Sequence, residues 1–417
     1  MISRGYARWV LALLTVVYMV SFIDRQILAM LVEPIRTEFG VSDTAMGFLT
    51  GFAFVVFYTA AGIPIARLAD RVSRKAIIAC ALALWSAMTA ASGFARSFAE
   101  LAWLRVLVGV GEAGGNAPSQ SLIADYFPPE RRATALSIYA WGVYIGSGIA
   151  FLAGGWLVAN YDWRSALLVA GLPGLALAGL VALTVRELPR GYAEERAAAT
   201  SGVPLGEVLR YLARRRAFVL VVAGTSLQSM AGYGVLTWGP TFFARVHAWS
   251  WTEIGFTLGW IVLLGGCFGA FSGGWLADRL GARDQRWYAR LPALELGLAV
   301  PFLAGYTLAP DASAAVWFLV PCYTLGAMYV GPMFAMVQGL AELRMRATAV
   351  AILLFFTNMV GLGLGPLAVG LLNDFVFGPQ HGAQAIRYSM LVVGLFGCIA
   401  SLCFWRAAAH LPHELAR

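Results

Sequence analysis

Charge is scarce in this chain of 417 residues: Asp, Glu, Lys and Arg make up 12% of it, about half the share of a soluble domain. A largely water-bathed surface is thereby excluded. Lysine is scarcer still, and Lys75 is the only one. The cysteines Cys80, Cys267, Cys322, Cys398 and Cys403 form no CxxC pair and sit in apolar runs. They suit small buried hydrophobes and argue against a disulfide framework or a zinc ribbon. The histidines, His247, His381, His410 and His413, are too dispersed for a metal cluster, so no metal and no cofactor is expected. No GxxxxGK[ST] loop occurs, which argues against a nucleotide-driven pump. No nucleophile–His arrangement stands out, and an enzyme is not expected.

What the chain has is apolar length. Its hydrophobic share is 60%, and runs near the roughly 20 residues that cross a bilayer recur from end to end. Twelve spans are predicted, at 8–32, 45–66, 75–95, 98–124, 132–159, 164–186, 216–244, 252–276, 289–309, 313–340, 347–373 and 385–407. The first follows Arg4 and Arg8 but carries Asp24 and Arg25 and lacks a small-residue cleavage site, so it reads as a retained helix. Residues 187–215 are polar and basic, with a surface amphipathic helix expected around Leu205–Leu212. Arg67, Arg71, Arg74, Lys75, Arg131, Arg132, Arg210, Arg279, Arg283, Arg344 and Arg346 fall in loops on one side. That side is the cytoplasm by the positive-inside rule, which puts both termini inside. The net charge of +8 is accounted for in this way, and no nucleic-acid partner is expected. The expected place is the cell (inner) membrane, and the expected state a monomer.

The halves repeat. ARLADRVSRK at 66–75 is echoed by GWLADRLGAR at 274–283, and RATA at 132–135 recurs at 346–349, offsets of 208 and 214 residues. Two matches in register point to a duplicated six-helix unit. The fold class is therefore an all-α membrane protein of twelve transmembrane helices in two pseudo-symmetric bundles. The expected domains are a bundle at 1–186, a cytoplasmic linker at 187–215 and a bundle at 216–417.

Twelve spans in two sixes, with D-R-x-x-R-[KR] between spans two and three, resemble the major facilitator superfamily. Gly274, Leu276, Ala277, Asp278, Arg279, Gly281 and Arg283 fit its G-x-L-A-D-R-x-G-R motif; Ala66 and Ser73 stand in the first copy where glycines are usual. Arg105, Gly109 and Gly111 match its fourth-helix R-x-x-x-G-x-G. A narrower resemblance covers about residues 18–175: SFIDRQ at 21–26, GVGEA at 109–113, LIADYFP at 122–128, RRATALSIY at 131–139 and GSGI at 146–149. These are similar to the spinster group, which implies export of lysolipids or sphingosine-1-phosphate, proton-coupled in its bacterial members. The alternative is an organic-anion transporter for small non-lipid substrates, since such symporters carry a similar Asp-Arg pair.

Asp24, Arg25, Arg105 and Glu112 lie deep in apolar spans, where a charge is costly and seldom accidental. Arg25 and Arg105 are expected to hold an anionic headgroup, Arg being suited to phosphate. Asp24 and Glu112 are expected to carry the coupled proton, with Glu112 first because it lies deepest. The resemblance implies a cavity lined by spans one, four, seven and ten with help from their neighbours. Its expected wall is Tyr58, Asn116, Gln120, Tyr139, Tyr144, Gln228, Tyr233, Trp238, Tyr329, Met333, Met336, Phe356 and Asn358. A cytoplasmic gate is expected from Asp70, Arg71, Arg74, Asp125, Asp278, Arg279 and Glu342, with Arg71 set against Asp125 and Arg279 against Glu342. Glu295 is expected at a packed or interfacial site in a supporting span.

Overall fold

The computed structural model describes residues 3–69, 71–189, 192 and 204–415, and these are helical throughout apart from turns and loops. In the first half α1 is Arg4–Phe39 and α2 is Asp43–Gly47. A π-turn at Phe48–Phe52 leads into α3, Ala53–Ala69. Then come α4 (Arg74–Ser92), α5 (Phe98–Glu112), α6 (Asn116–Tyr126), α7 (Pro129–Asn160) and α8 (Trp163–Thr184). A short α9 (Leu205–Ala213) precedes the second half. There α10 is Arg216–His247, and α11 (Trp251–Trp260) runs through a π-turn into α12 (Gly266–Gly281). α13 is Trp287–Leu308, α14 Ala312–Met328 and α15 Val330–Leu340. α16 (Arg346–Phe356), a π-stretch at Thr357–Leu364, α17 (Gly365–Leu371), α18 (Gly378–His381), α19 (Ala385–Gly394) and α20 (Phe396–Glu414) complete the chain.

The helices start where short polar side chains can cap them. Ser42, Ser73, Ser97, Asp162 and Asp311 each accept from a backbone N–H three residues on, satisfying an orphan donor of the first turn. Among the described residues, ten stretches are long and apolar enough to cross a membrane. The last, Arg346–Glu414, is long enough for two crossings. Adding the interrupted α5–α6 pair brings the number to the twelve expected. α9 falls where an amphipathic helix was expected, burying Val208 and Leu212 and exposing Leu205 and Leu209.

Three expected spans are not continuous: 98–124, 313–340 and 385–407, the last broken at Leu395. The 98–124 run breaks at Ala113–Gly115, directly after Glu112. There Gly114 N–H bonds the Gly111 carbonyl and Gly115 N–H the Glu112 carbonyl, both three residues back. The tighter pattern keeps the broken turn's backbone bonded, which an apolar setting demands. A second interruption falls at Tyr329, between α14 and α15.

The chain clusters into two compact units. One comprises Met1–Val41, Ala53–Ala199 and Ser250–Gly259; the other comprises Ser42–Phe52, Thr200–Trp249 and Trp260–Arg417. The second unit therefore includes the short α2 of the first sequence half. It is tied in by Arg245, whose two Nη atoms reach the Asp43 carboxylate at 2.6 and 2.7 Å. Asn373 Nδ2 donates to the same carboxylate at 3.0 Å, and Asp374 accepts from the backbone N–H of Asp43 and Thr44.

Candidate functional site

The site begins on α1. Ser21 and Arg25 are four residues apart, so they share a face. Both reach Glu112 on α5: Ser21 Oγ donates to Oε2 at 2.9 Å and Arg25 Nε donates to it at 2.6 Å. Asp24 sits about 100° around the helix from Arg25 and so faces elsewhere. It accepts instead from Thr89 Oγ1 on α4 at 3.0 Å. Glu112 has the direct ion pair and Asp24 a neutral partner. Helix rotation, not depth in the membrane, makes the difference.

Burial here is nearly complete. Asp24 is 0% exposed, Arg105 1% and Glu112 2%. Arg25 is packed among rings: its Cζ lies 5.2 Å from the Phe22 centroid, 5.0 Å from Phe54 and 4.7 Å from Tyr58. Arg105 lies within electrostatic reach of Asp24, Glu112 and Arg25. Even so, its Nε and Nη1, with Asp24 Oδ1 and Glu112 Oε1, have no hydrogen-bond partner among the described residues. Each buried orphan costs about 1–3 kcal/mol. This arrangement is poor scaffolding; it suits charges that change partner.

Two glycines let the charged helix segment sit so deep. A Cβ at Gly109 would lie 2.5 Å from the Phe54 carbonyl oxygen, and one at Gly111 would lie 2.9 Å from the Trp85 backbone nitrogen. Without side chains there, α5 lies flush against α3 and α4. Tyr139 stacks on Tyr18 at 4.4 Å and donates to Asn116 Oδ1, which also takes Gln120 Nε2. These wall residues of the first half form one network beneath the helix break. Tyr144 is half-buried nearby in sequence on α7.

The expected wall residues of the second half differ among themselves. Gln228 Nε2 donates to the Gly326 carbonyl at 3.4 Å, and Tyr329 and Ser229 share a hydrogen bond at 3.2 Å. Tyr233 and Asn358 are half-buried and Phe356 is 45% exposed. Trp238 is fully buried and donates to the Pro366 carbonyl, while Met333 and Met336 lie in the core cluster. These last three are packing residues in this structure, since an indole or thioether on an inward helix face is as good a core filler as a wall.

The gate residues are placed as follows. Asp70 lies outside the described residues. Arg74, 2% exposed, donates to Asp125, Glu187, Ser121 and the Leu188 carbonyl. Asp125 was expected against Arg71; Arg74 reaches it from the first turn of α4, and Arg71 is exposed. Asp278 accepts from Tyr288 at 3.0 Å, and Arg279 lies over the Trp275 ring at 5.3 Å. Glu342, expected against Arg279, accepts from Arg344 at 3.1 Å. Glu295 is 4% exposed and neither carboxylate oxygen finds a partner among the described residues. No metal-holding cluster occurs among the described residues.

Ser21, Phe22, Phe54 and Thr89 were missed from sequence. Ser21 was legible in SFIDRQ as the i−4 neighbour of Arg25. Thr89, one small residue in an apolar run, carries no such signal.

A family model described as Major Facilitator Superfamily matches residues 14–366. An MFS-type efflux pump of Mycolicibacterium smegmatis is 34% identical over 96% of this chain and 92% of that protein. A mouse sphingosine-1-phosphate transporter is 26% identical over 88% of this chain and 69% of its own length. A crystal structure of a bacterial homolog to the human lysosomal transporter Spinster, inward-facing and unoccupied, superposes with TM-score 0.90. It is 30% identical and covers 100% of this chain and 99% of the other.

Proposed function

The chain belongs to the Major Facilitator Superfamily and is an alternating-access transporter of the spinster type; on that premise we propose that it is a proton-coupled exporter of a lysolipid-like amphiphilic anion. The carrying observation is the buried quartet of Asp24, Arg25, Arg105 and Glu112, joined by one direct ion pair and holding unmatched donors and acceptors. An anionic headgroup that takes Arg25 from Glu112 changes the charge facing that carboxylate in a low-dielectric place, so headgroup binding and proton binding in the quartet are linked. Loss of the headgroup reverses the exchange. Asp24 is the second candidate proton carrier of the quartet. Two relatives, named as an efflux pump and a sphingosine-1-phosphate transporter, support export and a lysolipid cargo. The rings around Arg25 suit the first carbons of a lipid tail. The protein sits in the cell membrane as a monomer, with both termini in the cytoplasm. Residues 1–186 and 216–417 act as the two bundles, and 187–215 as the linker between them. Asp70, Arg71, Arg74, Asp125, Asp278, Arg279 and Glu342 act at its cytoplasmic gate.

A second reading, a carrier of small organic anions, draws on Gln228, Ser229 and Tyr329, whose amide and hydroxyls suit a compact polar substrate. Proteoliposomes with an imposed pH gradient decide. Uphill movement of labelled sphingosine-1-phosphate or lysophospholipid, uncompeted by short organic acids, is expected. Uphill movement of short acids alone sinks the lipid reading, and accumulation indifferent to the pH gradient sinks the coupling.

A further inference from the structure

Hydroxyls inside these helices have a default partner. Thr15, Ser92, Ser147, Thr184, Thr307 and Thr324 each donate to the carbonyl four residues back, the usual resort of Ser and Thr in a helix. Thr89 departs from that pattern. It is 0% exposed, and its Oγ1 donates across to Asp24 Oδ2 at 3.0 Å. It is the one hydrogen-bond partner of Asp24 among the described residues.

We propose that Thr89 is a positioning residue for the proton step, fixing the Asp24 carboxyl so that its free oxygen, Oδ1, faces the exchange with Arg105 and Glu112. This rests on reading Asp24 and Glu112 as the proton carriers. The chemistry of the partner matters. An arginine in this place donates only and favours the ionised acid. A hydroxyl donates to a carboxylate and accepts from a protonated carboxyl, so it holds both states. Threonine is also stiff at χ1, which keeps the oxygen aimed while the proton comes and goes. The charged groups within electrostatic reach of Asp24 are Glu112 and Arg105 from α5 and Arg25 from α1 itself. From α4 comes Thr89 alone. α4 is held in place by close approach at both neighbours: Gly111 of α5 lies against Trp85, one turn before Thr89, and Gly171 of α8 lies against Ala90, the next residue.

The test needs no substrate. Full-length protein in lipid is titrated with acid while infrared difference spectra follow the carbonyl stretch of a buried protonated carboxyl. Asp24→Asn identifies the Asp24 band. Thr89→Val, which keeps the shape and loses the hydroxyl, is expected to move that band and shift its midpoint by about one pH unit, a tenfold change in proton affinity. Thr89→Ser is expected to restore both. Thr89→Ala serves if the valine variant does not fold. A band that Asp24→Asn leaves intact means Asp24 does not titrate, and both the coupling role of Asp24 and this proposal fall. A band that belongs to Asp24 but ignores Thr89→Val overturns the proposal and leaves the coupling reading standing.

Discussion

In the first half the helix interruption at Ala113–Gly115 follows a glutamate held by an arginine and a serine. In the second half, 214 residues on, the interruption at Tyr329 follows Gly326, whose carbonyl takes an amide from Gln228. Leu319 stands where Arg105 would recur, and Gly326 where Glu112 would. Ser21 and Ser229 are 208 apart, and each bonds across from its helix to the interrupted one. The buried Arg74 likewise gives way to Ala282 in the second copy of its motif. The broken helix is thus common to both halves, and among the described residues buried charge on the broken helix itself is confined to one. A break supplies backbone and room; only the charged copy can also respond to protons. Duplication kept the scaffold; on the proposed function, one half carries the coupling and the other the neutral contacts.

The sharpest way to break this division is at its charged side. Glu112→Gln is expected to cut uphill accumulation on a pH gradient at least tenfold while substrate exchange at equal pH persists. It leaves Arg25 buried with only a neutral partner, so a loss of stability of about 3 kcal/mol accompanies it. Proteoliposome uptake read beside thermal unfolding separates the two effects. Unimpaired accumulation would move the coupling away from the quartet.

Glycines offer a comparison of the two breaks by stability alone. An added methyl at Gly111 meets the Trp85 backbone at 2.9 Å, whereas one at Gly326 meets only Gln228 Nε2 at 3.5 Å. Gly111→Ala is expected to destabilise by about 1–3 kcal/mol, the usual range for overpacking. Gly326→Ala is expected to be nearly silent. Equal unfolding temperatures for the two variants would mean the charged break is no more tightly built than the neutral one.

On the neutral side, Gln228→Ala is expected to raise KM two- to fivefold and leave the proton-to-substrate ratio unchanged. A changed ratio, measured from paired pH and substrate fluxes, would put coupling in both halves.

Much of the fold was legible because span length, loop charge and the internal repeats are local patterns. The break after Glu112 was not, since GVGEAGGN looks like any glycine-flecked apolar run until its hydrogen bonds are followed. The site's members were found as charges in the wrong solvent. Their partners were not, because Asp24 and Arg25 are adjacent in sequence and point to different helices. Which acid meets the arginine is a matter of helix rotation, as is the arrival of Arg74 at Asp125. Thr89 was invisible: a hydroxyl in an apolar helix has a bland explanation that only geometry removes.

The smallest effect concerns the charged clamp that the second half lacks. Burial pushes the Glu187 carboxyl up, but hydrogen bonds from the Lys75 backbone N–H, Arg74 and Ser73 outweigh it and hold the acid below its usual 4.5. A depressed folded-state value means the unfolded chain binds the proton more tightly. Glu187 therefore contributes stability that is fully present above about 4.5 and is lost as the pH falls through its lower folded-state value. Glu187→Gln is expected to lower stability slightly at neutral pH and to flatten the acid limb below 4.5. Thermal unfolding of parent and variant across that window checks it. Curves that stay parallel into acid would mean the clamp gains nothing from this charge, and the contrast between the halves would then rest on the quartet alone.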